Sequence, residues 1–328
     1  MGPTRRGFIA GALTAASVGE GAWHAARAQG WPAGPIRLIV PFPPGGSVDA
    51  LTRLIQPGLQ ARLGVPLIIE NQGGGSGSIG AARVARSAPD GNTWLFVFDS
   101  HAVNPFLQSL PFDTGRDLDP VLLIGTAPNV LACHPSRPYQ TLGDVIAAAR
   151  ARPDTVSYAT IGAGSIGHLT MVRVAKQAGV GFVHVPYRGG GPAVNDAIAG
   201  HVDLLIGSAA LVSPQLRTGA LRPLAQFSAT RAASLQGVPT AAEGGVTGVE
   251  SNAWWGVFAP AGTPRPIVDR FGAELAATLG DERVARTLLE SQQVEVAAWG
   301  PERFRAFFEN EGRVWGAVVQ ENNVKADL

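Results

Sequence analysis

Residues 36–64 read "IRLIVPFPPGGSVDALTRLIQPGLQARLG", which combines a strand pattern, a glycine turn and a helix pattern. The apolar run at 36–42 predicts a buried strand, and residues 47–64 repeat apolar side chains at helical spacing. Pro57 removes one backbone donor inside this helix and predicts a kink there. A strand followed directly by a helix is the repeating unit of α/β proteins, so this stretch indicates that fold class.

The same alternation continues along most of the chain. Strand patterns are "PLIIEN", "TWLFVFD", "TVSYAT", "GFVHVPY", "VDLLIGS" and "LRPLAQFS", and helix patterns include "SIGAARVARSA", "TLGDVIAAARA", "HLTMVRVAKQAG" and "PAVNDAIAG". The last 70 residues are mostly helical in pattern, with candidate core positions Ile267, Phe271, Leu275, Leu279, Phe304, Phe307, Phe308 and Trp315. Two strand-and-helix blocks predict two lobes, with residues 29–129 and 252–328 forming the first and 130–251 the second.

The N-terminus has the features of an export signal. Arg5 and Arg6 precede a short apolar stretch of small residues, and Ala26-Arg27-Ala28 offers a cleavage site. We therefore predict a signal at residues 1–28, whose "TRRGFI" resembles the twin-arginine signal. No later apolar run approaches 18 residues, so we expect an exported, periplasmic chain without membrane insertion.

Charge and cysteine content exclude some classes of protein. Without residues 1–28, the chain has 23 basic and 24 acidic residues, a balance that argues against nucleic acid as the main partner. Cys133 is the single cysteine, which rules out an intrachain disulfide framework. We expect a monomer without cofactor or metal.

The turn "PFPPGGSVD" is the first candidate ligand site. Glycines allow a close backbone approach, and the unpaired N–H groups at a helix start favour an anion. The alternative is a plain turn in which Ser47 caps the helix, and Asp49 and Arg53 form a surface ion pair.

A second turn of this kind, "YATIGAGSIGHLT", occurs in the second block. Thr160, Gly162, Gly164 and Ser165 offer hydroxyl and N–H donors there without a cation. The next turn, "HVPYRGGGPA", contains an arginine at 188. The histidines at 168 and 184 are isolated in sequence and lack the companions of a zinc site, so we expect structural roles for both.

Two stretches, "GSGSIG" at 75–80 and "GAGSIG" at 162–167, also fit the G-x-G-x-x-G dinucleotide fingerprint. Asp99 ends the strand after the first stretch, which keeps an exported NAD(P)-dependent oxidoreductase open as an alternative. However, "ENQGG" separates the preceding strand from the first motif glycine, whereas the fingerprint needs an immediate turn. The motifs G-x-S-x-G, H-E-x-x-H, C-x-x-C and G-K-[ST] are all missing.

Seven segments together resemble one family, the Bug-type solute-binding proteins, which are periplasmic receptors of tripartite tricarboxylate transporters. These segments are "PFPPGGSVDALTR", "IIENQGGGSGSIGAARVARSAPDGNT", "LPFDTGRDLDPV", "YATIGAGSIGHL", "HVPYRGGGPAVNDAIAGHVD", "LRPLAQFSATRAASLQGVPTAAEGG" and "WWGVFAPAGTP". They follow the family order across essentially the whole chain after the signal.

The resemblance implies a two-lobed periplasmic binding protein fold, type II-like, that closes over a small organic anion, commonly a carboxylate. It implies delivery of this solute to the membrane components of a transporter, and a sensory binding protein of the same fold is the alternative. The glycines at 75–80 then place a helix close to the first sheet. The implied ligand-binding residues are Pro44, Gly45, Gly46, Ser47, Asp99, Ser100, His101, Thr160, Gly162, Gly164, Ser165 and Ser208. Gly207 and Ser208 depart from the acidic or amide residue that the family commonly has there.

Overall fold

The computed structural model describes residues 30–325, and the predicted export signal at 1–28 lies outside them. The predicted alternation of strands and helices is confirmed. The strands are β1 (Ile36–Val40), β2 (Leu67–Asn71), β3 (Thr93–Phe98), β4 (Leu118–Cys133), β5 (Ser157–Thr160), β6 (Val183–Pro186), β7 (Leu204–Ser208), β8 (Arg222–Gln226), β9 (Asn252–Pro260) and β10 (Glu295–Trp299).

Helices cover both sides of these strands. They are α1 (Ser47–Leu63), α2 (Ser78–Ala85), α3 (Ser100–Leu107), α4 (Leu142–Ala151), α5 (Ile166–Ala178), α6 (Gly190–Ile198), α7 (Ala209–Thr218), α8 (Arg265–Leu279), α9 (Glu282–Gln292) and α10 (Pro301–Glu321). In the described part of the chain, none is long and apolar enough to cross a membrane. The sequence patterns single out neither α3 nor α7. Each contains an interior proline, Pro105 or Pro214, as α1 contains Pro57.

The predicted apolar stripes are largely confirmed as core. Val48, Leu51, Ile55 and Leu59 of α1 are almost fully buried, and the helix runs on through Pro57. The four predicted positions of α8 are each at most 2% exposed. In α10 the first and last predicted positions, Phe304 and Trp315, are buried, whereas Phe307 and Phe308 are only partly buried.

Strand β4 is shared by two groups of strands. The sheet order is β2-β1-β3-β9-β4-β7-β5-β6, and β8 and β10 also pair with β4. The segment Leu118 to Pro128 pairs with β9, and Asn129 to Cys133 pairs with β7. The change of partner falls at the predicted lobe boundary near 129, and β9 begins at the predicted boundary near 252. The boundaries as limits of two moving bodies stay a prediction.

A buried polar cluster ties the two crossing points together. The Asn129 amide donates to the Ser251 hydroxyl at 2.7 Å, and the Thr170 and Ser251 hydroxyl oxygens are also 2.7 Å apart. The backbone N–H of Asn129 donates to the Ser251 carbonyl at 3.2 Å. All three residues are at most 2% exposed, so water does not compete for these bonds.

Helix α10 packs against elements of both strand groups. Its residues Trp315 and Val318 share an apolar cluster with Val103 of α3 and with Ile166 and Leu169 of α5. The guanidinium of Arg173, in α5, also lies 5.5 Å from the Trp315 ring centroid. The C-terminal helix therefore connects the helix that follows β3 to the helix that follows β5.

Replacing Ser251 by alanine should destabilise the protein by about 1–3 kcal/mol, because the buried Asn129 amide loses its acceptor. The measurement is urea unfolding of residues 29–328. Ser109→Ala, at an exposed serine, is the control. Equal urea midpoints for the two variants would show that the cluster at the crossing contributes nothing to the free energy of unfolding.

Candidate functional site

The sheet topology brings two sets of turns face to face. Strands β1, β2 and β3 are parallel, and β3 and β4 are each antiparallel to β9, so β1–β3 run in the direction of β4. Strands β5, β6 and β7 run the opposite way, because β7 is antiparallel to β4. The carboxyl ends of the two sets therefore point towards each other, and ligands of α/β sheets bind beyond such ends.

The turn after β1 contains four predicted site residues. Pro44 and Gly45 are exposed, and Gly45 has a left-handed φ of 82° that favours glycine. Gly46 occupies the N-cap and Ser47 is the first helical residue, so the alternative with Ser47 as N-cap is wrong. The N–H groups of Ser47 and Val48 have no acceptor within the helix and point out of its first turn.

The side chain of Asp49 holds this turn in place through hydrogen bonds. Its carboxylate accepts the Gly45 N–H at 2.9 Å, the Arg53 Nε at 3.0 Å and the Asn71 Nδ2 at 2.9 Å. Burial opposes ionisation of Asp49, but the hydrogen bonds outweigh it and hold the pKa of the carboxyl below its ordinary value. The alternative of a surface pair is therefore wrong for Asp49, whose side chain is only 4% exposed, although Arg53 is half exposed.

Asn71 is a contributor that the sequence patterns do not identify. It ends β2, and its amide also donates to the Phe42 carbonyl at 3.1 Å. The signal available was a polar residue at the carboxyl end of a strand, where site residues gather in α/β sheets.

The turn after β5 contains the second predicted set. Ser165 is the N-cap of α5 and accepts the His168 N–H at 3.4 Å. Gly164 has a left-handed φ of 74° and donates its N–H to His168 Nδ1 at 2.9 Å. Thr160 donates to the Gly162 carbonyl at 3.0 Å. The hydroxyl of Thr160 and the N–H of Gly164 thus already have partners inside the turn.

The two histidines predicted to be isolated are neighbours in the structure. The rings of His168 and His184 stack with centroids 3.8 Å apart, and Tyr158 lies 4.9 Å from His184. His184 Nε2 is 2.8 Å from the Thr160 hydroxyl. Burial and the neighbouring His168 lower the pKa of His184 to about 3, so this imidazole is neutral at physiological pH.

The predicted cleft loop at 99–101 is the start of α3, because the chain passes directly from β3 into this helix. His101 is 3% exposed, and its ring packs 5.0 Å from Phe258, so its predicted position facing the cleft is wrong. The Ser100 hydroxyl donates to the Ser76 carbonyl at 3.1 Å. Asp99 is 2% exposed, and burial, reinforced by Glu311, raises the pKa of its carboxyl well above the ordinary value.

Ser208 ends β7 opposite Asn129 of β4, close to the crossing. It is the N-cap of α7 and accepts the Leu211 N–H at 3.3 Å. Ser208 is 5% exposed as a whole residue and lies at the carboxyl edge of the second strand set. The turn after β6 adds Arg188, the one basic residue in the facing turns of residues 30–325, and it is exposed.

The glycine stretch at 75–80 packs against protein. A Cβ at Gly80 would lie 2.7 Å from the Pro41 Cβ and 3.0 Å from the Gln72 carbonyl oxygen. The Ser76 carbonyl also accepts the Asn104 amide at 3.0 Å. These contacts agree with the structural role predicted for the glycines and leave no close backbone approach for a pyrophosphate at Gly80.

Two cavities lie away from the facing turns. One of about 600 Å³ includes Pro153 and Phe182, at the amino ends of β5 and β6, and another of about 410 Å³ lies between α1, α8 and α9. Neither is lined by a predicted site residue. We assign the candidate site to the facing turns, because helices start there at the carboxyl ends of both strand sets and their unpaired N–H groups favour an anion.

Comparison with known proteins identifies relatives over nearly the whole chain. Residues 51–324 match the family described as "Tripartite tricarboxylate transporter family receptor". Protein BugT from Bordetella pertussis is 35% identical over 321 residues, which cover 97% of this chain and 96% of BugT. The predicted family resemblance is thereby confirmed.

Solved structures of relatives have the same fold. Rpa4515 of R. palustris with adipate is 34% identical, with a TM-score of 0.85, and covers 90% of this chain and 99% of that one. MatC (Rpa3494) from Rhodopseudomonas palustris with bound malate is 29% identical, with a TM-score of 0.79, and covers 88% and 100%. The predicted two-lobed periplasmic binding protein fold is confirmed.

Gly80→Ala should lower the free energy of unfolding by about 1–3 kcal/mol, because the new methyl group overlaps Pro41 and the backbone of Gln72. Gly191→Ala is the matched control, since that helical glycine has open space around its Cβ position. Urea unfolding of both variants checks this. Equal stability of the two would mean that α2 does not need its close approach to β1.

Proposed function

The chain belongs to the tripartite tricarboxylate transporter receptor family, and from this premise we propose that it captures a small organic carboxylate in the periplasm. We further propose that it delivers this solute to the membrane components of a tripartite transporter and does not act as an enzyme. Adipate and malate, named with two solved relatives, are both dicarboxylates. The export signal predicted at 1–28 supports the periplasmic location.

The observation that carries this proposal is the pairing of two helix starts across the cleft. Helix α1 offers the N–H groups of Ser47 and Val48, and α5 offers those of Ile166 and Gly167, none of which has an acceptor within its helix. Helix dipoles add positive potential at both points. An extended dicarboxylate could accept N–H bonds from each lobe at the same time.

The proposed ligand set follows from these placements. N–H groups of Ser47, Val48 and the first turn of α5 hold the carboxylates, and the Ser165 and Ser208 hydroxyls lie on the second lobe's side. The N–H of Gly46 donates to the Pro43 carbonyl at 3.4 Å, so Gly46 shapes the turn. Pro44, Gly45, Thr160, Gly162 and Gly164 shape the two turns, and Asp99 and Ser100 stay proposed site residues at the start of α3. His101 is left out, because its ring is in the core.

Capture requires the lobes to come together, because no single turn surrounds a ligand. The Leu107 side chain of the first lobe meets Gly164 of the second so closely that a Cβ there would lie 2.3 Å from the Leu107 Cδ1. A ligand that bonds to both lobes stabilises only the closed arrangement, and binding therefore shifts the population towards it.

The oxidoreductase alternative is not favoured. Gly80 of the first fingerprint packs against Pro41, and in the second Gly164 donates its N–H to a histidine of its own helix. The matched family consists of receptors. A sensory receptor with the same cleft would bind its solute in the same way, and the fold alone does not separate sensing from transport.

Calorimetric titration of residues 29–328 with adipate, malate, citrate, benzoate, glutamate and NAD tests the proposal. At least one carboxylate should bind with a Kd near the micromolar range, which corresponds to about 8 kcal/mol. Gly164→Ala should weaken that binding at least about tenfold, because the added methyl group prevents the approach of Leu107.

Gly179→Ala is the matched control for this experiment. Gly179 ends the same helix, also has a left-handed φ, 64°, and has nothing within 4 Å of its Cβ position. It therefore shares the backbone cost without the clash at the cleft. Binding of NAD alone, or equal carboxylate affinities of the two variants, would contradict capture between the lobes.

A further inference from the structure

The facing turns of the two lobes have the same local geometry. In each, a left-handed glycine precedes the N-cap, at Gly45 with φ 82° and at Gly164 with φ 74°. In each, the side chain of the third helical residue accepts the N–H of that glycine at 2.9 Å, from Asp49 Oδ2 or from His168 Nδ1. The spacing is four residues in both cases, although the sequences "GGSVD" and "GSIGH" differ.

This arrangement differs from an ordinary capping box. There the third helical side chain accepts the N–H of the N-cap residue, as Asp144 does for Thr141 at the start of α4, where it also accepts the N–H of Gln140. In the facing turns the N-cap N–H donates instead to a backbone carbonyl three residues back, of Pro43 or Gly162. The third helical side chain binds the preceding residue, which is a left-handed glycine. The N–H groups of the first two helical residues, which follow this glycine and the N-cap, remain unpaired within the helix.

We propose that Asp49 and His168 are equivalent positioning residues, one per lobe, that hold the two turns so that their unpaired N–H groups converge on one anion. The proposal rests on the carboxylate-capture function above and adds how the site is kept in shape. Neither side chain needs to touch the ligand. We call these two hydrogen bonds the glycine locks.

The lock of the first lobe requires compensation of charge. A carboxylate beside an anion site would repel the ligand, and Asp49 is ionised because its hydrogen bonds lower its pKa. Arg53 supplies a cation at 3.0 Å, and Asn71 donates to the second carboxylate oxygen at 2.9 Å. Asp49 therefore acts as an acceptor for Gly45 with its charge already paired.

The lock of the second lobe is neutral and is held by the histidine stack. The single hydroxyl hydrogen of Thr160 goes to the Gly162 carbonyl, so His184 must donate its Nε2–H to Thr160. His168 accepts on Nδ1, which assigns its proton to Nε2. Tyr158 is the other titratable group stacked on this pair. The turn is thus hydrogen-bonded to both rings. His184 reaches Gly162 through Thr160, and His168 binds Gly164 directly.

The first arm of the test needs no ligand. In nitrogen-15 NMR spectra of wild-type residues 29–328 at pH 7.5, His168 should show an unprotonated Nδ1 and a protonated Nε2. Hydrogen exchange at the Gly164 amide should accelerate at least tenfold in His168→Leu and return towards the wild-type rate in His168→Gln, whose amide oxygen can accept the same N–H. Unchanged exchange in His168→Leu would overturn the lock itself.

The second arm measures binding of adipate, malate and citrate. His168→Leu and Asp49→Ala should each raise Kd at least tenfold. His168→Gln and Asp49→Asn, which keep an acceptor for the glycine N–H, should recover most of that loss. Asp269→Ala is the control for Asp49, because Asp269 also forms an ion pair with an arginine four residues away, Arg265. His134→Leu is the control for His168.

The two proposals fail in different ways. If none of the three carboxylates binds the wild-type protein, the capture function is overturned. If one binds but the lock variants differ no more than their controls, the capture function survives and the positioning role is overturned. A loss in Asp49→Ala without recovery in Asp49→Asn would assign the effect to charge rather than to the lock.

Discussion

Leu118–Cys133 form one continuous strand whose first eleven residues pair with β9 and whose last five pair with β7. Strands β1–β3 run in the same direction as this strand, and β5–β7 run opposite to it. The carboxyl ends of these two sets therefore point towards each other. The cleft is a consequence of that sharing. Asn129, Ser251 and Thr170 fix the crossing, because their hydrogen bonds are buried and link both connections between the lobes.

The electrostatics of the cleft follow from the scarcity of basic side chains in the facing turns. Arg188 is the one basic residue in the facing turns of the described chain, and it is exposed at the edge. An anion therefore depends on oriented N–H groups and helix dipoles, whose strength is set by geometry. The acids nearby do not oppose it, because Asp49 is paired with Arg53 and because burial raises the pKa of Asp99. For the carboxylate capture proposed above, selectivity then depends on the shape and spacing of the two turns more than on charge.

Local patterns were enough to predict β1, α1, the stripe of α8 and the two glycine turns, since each depends on residues close in sequence. They failed where a role depends on distant residues. Asp49 is buried because Asn71 and Arg53 surround it, and His168 meets His184 only after β6 is placed beside β5. His101 enters the core through contact with Phe258, which lies more than 150 residues away in sequence. The family resemblance supplied the cleft that no local pattern predicts.

A crystal structure of residues 29–328 grown with a bound carboxylate tests most directly whether one carboxylate solute is held by both lobes at once. We expect one ligand whose oxygens lie about 3 Å from N–H groups of Ser47 or Val48 and, simultaneously, of Ile166 or Gly167. A ligand bonded to one lobe only would contradict this claim. So would a ligand in the cavity beside Pro153 and Phe182, at the far end of the second lobe.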